Sequence, residues 1–410
     1  MLPAAGSTPS STPPPDAAIL RAMDLLRCHE DAFLRALDTE VLACEPADDG
    51  HHVALADSIL FPGGGGQPDD RGTIGDAQVI GVAERDGRVW YVTDRAVPTG
   101  PTRVEVDWAR RFDYMQQHTA QHLLTALALR HFKLPTLAFH LNPERSDVVL
   151  DAPRLDAATI DALEARANEA IREAHPVQPR LIDPAELDTE GVRRRRLPPG
   201  HEGALRVVEI EGIDLNTCGG THVSNTAQLQ MIRLIGVDFQ RGEARLHYLA
   251  GGRVLAAERE ARARTEVLNR LLSGGPESHV ESVERLLDQA RADKQSQRAL
   301  VAEIAGLLGA QLASGAATAA LHREGADLAF LGAVAQAARA ARSEQLVLLT
   351  AAPAGSAEGV FLLAGPPERV TACGPAVAEA LAGRGGGRGD RYQGKATRLD
   401  RRDVAFARLA

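Results

Sequence analysis

The chain has 410 residues, 44% hydrophobic and 25% charged, with a formal net charge of −9. That length exceeds one average core and predicts roughly two to four domains of ordinary soluble composition. No apolar run reaches the roughly eighteen residues of a membrane span, and the acidic balance argues against a protein that coats nucleic acid indiscriminately, while leaving room for a local basic surface.

Residues 1–16, rich in Pro, Ser and Ala, predict a disordered tail. They carry neither a basic n-region nor an apolar stretch, so no signal peptide and a cytoplasmic location are expected. Residues 17–104 read as β. "EVLACE", "HHVALADSIL", "AQVIGVAERDGRVWYV" and "TRVEVDW" cluster or alternate β-formers between turn residues, which suits a small barrel or sandwich. A long helix is predicted from about Ala109 to Phe132. Asp107 caps it, Phe112, Met115, Leu123, Ala126 and Leu127 fall at helical spacing, and Pro135 closes it.

"SDVVLDAP" then predicts a strand, "DAATIDALEARANEAIREA" an amphipathic helix, and "LRVVEIEGIDL" a strand leading into "NTCGGTHV". "LQMIRLIGVDFQRGEARLHYLAGG" predicts two or three more strands, so 105–253 is an α+β unit. Residues 254–315 are helical and charged, broken at "SGGPES", and predict a connector or coiled-coil-like hairpin. Residues 316–410 alternate again as a small α/β domain. The fold class expected is α+β multidomain: an N-terminal β-barrel, an α+β zinc-binding domain, a helical connector and a small C-terminal α/β domain.

The four cysteines, Cys28, Cys44, Cys218 and Cys373, are scattered and predict no disulfide framework. One of them stands in a pattern. "QQHTAQHLL" puts His118 and His122 one helical turn apart on one face. About a hundred residues later "NTCGGTHVSN" puts Cys218 and His222 at the same spacing. Either pair alone is weak, since two histidines at this spacing are often plain surface residues. Together, three imidazoles and a thiolate make a full tetrahedral set, and the nitrogen–sulfur mixture suits zinc over magnesium or calcium. Gly219 and Gly220 permit the tight turn that aims both side chains inward. A zincin protease is not expected: Thr119 follows His118, and no acid lies between the histidines to act as base.

"HTAQHLL" and "CGGTHV", preceded by "FPGGGGQPDDRG" and "VDWARRFDYMQQ", resemble the editing domain of alanyl-tRNA synthetases. The resemblance is closer still to the free-standing alanyl-tRNA editing proteins, the AlaX family, in its long form. It covers nearly the whole chain from about residue 20 and includes "GRGDRYQGKAT", which is similar to that family's DHHA1 domain. The resemblance implies hydrolysis of mischarged tRNA(Ala), chiefly seryl-tRNA(Ala). It also implies zinc ligation by His118, His122, Cys218 and His222, one ion per chain. The roughly 115 residues before His118 read as β, so editing without charging is expected.

The four glycines Gly63 to Gly66 lead into Gln67 and Pro68, not the Gly-Lys-Ser/Thr of a P-loop, so no nucleoside triphosphate site is expected. By residues alone this is a flexible turn or a place of close backbone approach. The resemblance turns Gly64, Gly65, Gly66, Gln67 and Thr221 toward the substrate. In "PTLAFHLN" it makes Thr136 and His140 the candidates for reading the serine hydroxyl. Asp214 is a substrate-side residue, a turn residue or an acceptor for a ligating imidazole.

Two basic stretches remain. Arg193 to Arg196 read as a loop, as readily a solvated face as a contact. The segment 383–402 has seven Arg or Lys against two Asp, and its glycines and Tyr392 suit backbone approach and stacking on RNA; the resemblance points Arg388, Arg391, Tyr392 and Lys395 toward tRNA binding. The partner expected is tRNA(Ala) mischarged with serine, with no membrane; a homodimer through the C-terminal domain stays open. No Ser-His-Asp or Cys-His nucleophile set is evident, so water is the expected nucleophile. With four protein ligands the zinc has no free position unless one ligand is long or leaves, so it either polarises the ester, activates water or positions substrate. The alternatives are an inactive zinc-containing tRNA-binding module and an editing enzyme for glycyl-tRNA(Ala).

Overall fold

A computed structural model gives the fold over residues 27–183, 192–193 and 204–409. The tail expected over 1–16 and the arginines Arg194, Arg195 and Arg196 lie outside these residues. The chain divides into two compact units, Met1–Arg264 and Thr265–Ala410. Among the described residues no helix is long and apolar enough to cross a membrane.

The first unit opens with a short helix α1 (Arg27–Glu30) and six antiparallel strands. These are β1 (Ala36–Ala47), β2 (Gly50–Leu55), β3 (Gly72–Ile74), β4 (Ala77–Arg85), β5 (Arg88–Thr93) and β6 (Gly100–Val106). They close in the order β1-β2-β5-β4-β3-β6, with β6 pairing back onto β1. Of the two architectures the alternation allowed, it is the barrel that forms. Val41, Val53, Leu55, Ile74, Val79 and Val104 are among the side chains that fill it. The glycine-rich turn lies between β2 and β3.

Helix α2 (Trp108–Phe132) follows. Asp107 caps it, its carboxylate accepting from the Arg110 amide at 3.1 Å, and Lys133 ends it in the left-handed region at φ 58°. From Tyr114 to Ala128 every residue is buried, polar ones included, so this helix runs through the middle of the unit. Its first turn is fixed to the barrel by Arg111, which is 0% exposed and ion-paired with Asp70 at 3%. Arg111 also donates to Ile59 O at 2.6 Å and Ala32 O at 3.0 Å.

Two antiparallel sheets flank α2. One has the order β12-β13-β8-β7, from β7 (Thr136–Leu141), β8 (Ser146–Leu150), β12 (Ile232–Gln240) and β13 (Glu243–Ala250). The other is β11-β10-β9, from β9 (Val177–Ile182), β10 (Leu205–Ile210) and β11 (Asp214–Thr217). Helix α3 (Ala157–Glu173), capped by Asp156, contributes Leu163, Ala167 and Ile171 to the same core as Leu123 and Leu124.

The segment expected as a connector divides between the units. Helix α4 (Gly252–Leu272) buries no residue. Helix α5 (His279–Ala313) buries Ala305 and Gly309, where a Cβ on Gly309 would stand 2.5 Å from Ala337 Cβ. Ala337 lies on α6 (Leu328–Ala341), so α5 belongs to the second unit's core. The sheet there has the order β14-β15-β16-β18-β17, from β14 (Thr318–Glu324), β15 (Leu346–Ala352), β16 (Gly359–Ala364), β17 (Arg384–Gly386) and β18 (Arg391–Ala396). Only β14 and β15 are parallel. Along β15, Val347 and Leu349 pack with α6, while Leu346 and Leu348 pack with α7 (Pro367–Ala380). A last helix α8 (Arg402–Ala407) joins the α7 side.

Candidate metal centre and adjoining pocket

The four residues of the two spaced pairs meet. His118, His122, Cys218 and His222 present ligand atoms that all lie within 4.8 Å of one another. The first two come from mid-α2; the other two come from the turn after β11. Cys218 Sγ is 3.5 Å from His118 Nε2 and 3.2 Å from His222 Nε2.

Each imidazole is held from behind. His118 Nδ1 lies 2.8 Å from Gln67 Oε1. Gln67 Nε2 already donates to Thr221 Oγ1 at 2.7 Å, and the Thr221 amide donates to Gln67 Oε1 at 3.0 Å. Gln67 Oε1 is therefore the acceptor, His118 carries its proton on Nδ1, and Nε2 faces the cluster with a free lone pair. His222 Nδ1 lies 3.1 Å from Thr119 Oγ1, which also takes the Val223 amide at 3.2 Å. His122 Nδ1 is 3.4 Å from Asp214 Oδ2, a contact between charges and not a hydrogen bond. Arg193 grips Asp214 with two bonds of 2.6 Å.

The turn carrying Cys218 is pinned by Arg206, which donates to Cys218 O at 2.7 Å and Gly220 O at 2.9 Å. His29 adds a bond to the Gly219 backbone; burial and the nearby Arg206 charge push its pKa down to about 4.

The electrostatics suit a cation. Burial alone would raise the Cys218 thiol, but the neighbouring imidazoles of His118, His222 and His122 bring it well below its usual 9.0, in the direction that favours a thiolate ligand. Burial pushes His222 down to about 3, which keeps that ring neutral and able to ligate. For His122 burial acts downward too, yet the Cys218 and Asp214 charges outweigh it and hold the ring near 9. A thiolate and three imidazoles, each with an oxygen behind it, fit a tetrahedral nitrogen–sulfur metal.

Beside the cluster is a pocket of about 180 Å³. One stripe of α2 lines it: His118, Gln121, His122 and Thr125, at the i, i+3, i+4 and i+7 spacing of a single face. Gly65, Thr136, Phe139, Asn216 and Thr217 complete much of the wall. Arg193 lines this pocket and also an adjacent cleft of about 510 Å³, shared with Arg130, Arg180, Glu209 and Leu215.

Among the other residues singled out by sequence, Gly65 and Thr136 reach this pocket, and Gln67 and Thr221 stand behind His118. Gly64 bonds back to Gln67 across the turn. Gly66, at φ 95°, packs so closely on Phe139 that a Cβ would come within 2.6 Å of the ring. Asp214 faces His122 instead of the small pocket. His140 is not brought to the cluster: it is half exposed, 2.8 Å from Asp147 and 3.1 Å from Arg245.

In the second unit Arg391 and Lys395 are exposed on β18, and Arg388 is exposed in the preceding loop. Tyr392 turns inward: its ring lies where a Cβ on Gly374 would be, and its hydroxyl donates to Gly385 O at 3.0 Å. Sequence reasoning missed Gln121, Thr125, Asn216 and Arg206. Gln121 and Thr125 share the helical face of His118, but their spacing alone does not tell a buried face from a solvated one.

Residues 205–246, which include Cys218 and His222, match the family described as threonyl and alanyl tRNA synthetase second additional domain. The chain is 40% identical over 400 residues to alanyl-tRNA editing protein Aarsd1 of Mus musculus, covering 93% of this chain and 96% of that protein. It is 38% identical over 392 residues to Aarsd1-B of Xenopus laevis, covering 92% and 94%. An alanine–tRNA ligase of Aeropyrum pernix is 30% identical over 290 residues, covering 66% of this chain and 31% of the ligase.

Proposed function

The chain belongs to the family of alanyl-tRNA editing proteins, and on that premise we propose that it hydrolyses the ester joining a wrong amino acid to tRNA(Ala). Seryl-tRNA(Ala) is the principal substrate and one zinc ion per chain the cofactor. The observation that carries this reading is the convergence of His118, His122, Cys218 and His222 beside a small pocket lined with polar side chains.

In this reading the four side chains hold the ion, which supplies positive charge to polarise an ester carbonyl or acidify a water. Gln67 and Thr119 keep His118 and His222 in the ligating tautomer, and Asp214, gripped by Arg193, sets a negative charge behind His122. All four donor side chains are committed to the ion, so water is the attacking group. The glycine at 65, with no side chain, leaves room for the terminal ribose to approach the pocket. Arg388, Arg391 and Lys395 offer phosphate contacts, with tRNA(Ala) as the partner.

Deacylation of tRNA(Ala) charged with labelled serine tests this directly. The wild type should release serine, and Cys218→Ala should not. Release of serine by neither protein, with tRNA still bound, would favour a tRNA-binding module without catalysis; release of glycine from glycyl-tRNA(Ala), with the seryl ester left intact, would favour the glycyl substrate.

A further inference from the structure

We propose that Gln121 is the side chain that reads the hydroxyl of the misacylated amino acid, an inference that rests on the editing reading above. Gln121 is 3% exposed and sits on α2 between the ligands His118 and His122, on the wall of the small pocket. Its amide nitrogen is committed: Nε2 donates to Thr125 Oγ1 at 2.8 Å. Its Oε1 is buried and has no hydrogen-bond partner among the described residues. Thr125 lines the same pocket and holds the nitrogen end of the amide.

A buried carbonyl oxygen without a donor is costly, and the cost is recovered only when a donor arrives. An amide oxygen accepts and never donates. A serine hydroxyl can satisfy it; the methyl of alanine and the hydrogen of glycine cannot. Thr136 Oγ1, which lines the same pocket, is likewise buried without a hydrogen-bond partner among the described residues. It differs in kind, because a hydroxyl can turn to donate or accept. One substrate hydroxyl could donate to Gln121 Oε1 and accept from Thr136. Discrimination against alanine then falls on Gln121, whose oxygen can only accept, while Thr136 can turn its hydroxyl to donate elsewhere. The one other donor common to these substrates is the α-ammonium. It is the same in serine, glycine and alanine, so a role for Gln121 there would show as an equal effect on all three.

The experiment compares wild type, Gln121→Met and Thr125→Val, each metal-loaded and checked for metal content and melting temperature. Seryl-, glycyl- and alanyl-tRNA(Ala) are the substrates. Binding of amide-linked seryl- and alanyl-adenosine is measured alongside, because these analogues cannot be hydrolysed. Gln121→Met should lower kcat/KM for the seryl substrate by about tenfold or more, with less than about twofold change for the other two. Thr125→Val, which frees the amide to rotate, should lose part of the same preference with the metal retained. Equal losses on all three substrates, or an unchanged serine preference, would overturn the proposal. A wild type that hydrolyses none of them, yet prefers the seryl analogue through Gln121, would overturn the editing reading and leave this one standing. A wild type that hydrolyses seryl-tRNA(Ala), with a Gln121→Met variant equally selective, would do the reverse.

Discussion

Gly220 closes directly onto the imidazole of His118. A Cβ at Gly220 would stand 2.3 Å from His118 Cε1, 2.4 Å from Nδ1 and 2.7 Å from Gln67 Oε1, whereas a Cβ at the adjacent Gly219 would meet nothing within 4 Å. The two glycines of one turn therefore carry different constraints. Gly220→Ala is expected to push the ring off Gln67 and to weaken metal retention by at least about tenfold, while Gly219→Ala leaves it nearly unchanged. Metal per chain after dialysis against a graded chelator reads the difference; equal retention in the two variants would contradict the packing argument.

Wild-type protein should carry about one zinc per chain, and Cys218→Ala should lose it, because three imidazoles remain where four ligands stood. Asp214→Asn keeps every ligand but removes the charge opposite His122, so affinity should fall by roughly 10- to 100-fold. Elemental analysis and competition with a chromogenic chelator supply both numbers. Purified wild type without stoichiometric metal would sink the zinc assignment.

Arg111→Met should cost about 3 to 5 kcal/mol of stability, since it strands the Asp70 carboxylate and frees Ile59 O and Ala32 O where α2 meets the barrel. The double variant Arg111→Met/Asp70→Asn should be milder than the sum of the singles, because no buried charge is left alone. Urea denaturation of the four proteins checks this, and strict additivity would mean that the pair is not coupled.

His29 gives a pH dependence of definite sign. Its folded pKa, about 4, lies below the unfolded value of about 6.5. Between these values the unfolded chain binds more protons, so stability falls as pH drops from about 6.5 toward 4, by at most roughly 2 to 3 kcal/mol. His29→Asn should flatten this part of the curve relative to wild type at equal metal loading. Parallel curves would show that the ring titrates alike in both states.

The basic strand is better tested by charge than by deletion. A cut at residue 316 would remove α6 and strip the partner from Ala305 and Leu308 of α5. Arg391→Glu/Lys395→Glu leaves that core intact. The pair should raise the Michaelis constant for tRNA several-fold, change kcat much less, and reduce the salt slope of binding by about two phosphate contacts. An unchanged slope would mean that these side chains are only a solvated face.

The sequence made the four ligands legible because both pairs repeat a spacing that chemistry demands, and α2 legible because Asp107 and Pro135 bracket its periodicity. Barrel and sandwich could not be told apart, since alternation records an inside and an outside but not whether β6 returns to β1. His140 looked equivalent to Thr136 by type and neighbourhood; its pairing with Asp147 across the β7–β8 register sends it elsewhere. Tyr392 read as a free stacking platform, and only the depth of Gly374 shows that its ring is already packed. Gln121 escaped notice because glutamine in a helix is usually solvated, and nothing local reveals that α2 is buried all round.

The metal cluster joins residues 100 apart in the chain, and Gln67 reaches Thr221 across 154. An ion bound there would act as a cross-link that the unfolded chain lacks, worth about 4 to 5 kcal/mol by the loop-closure argument used for disulfides of that span. It would also form late. As the chain leaves the ribosome, barrel, helix and glycine turn emerge in sequence, and none of them is a metal site until residue 222 has joined the others. Metal supply would then govern how much of this protein survives proteolysis, independently of any effect on its chemistry.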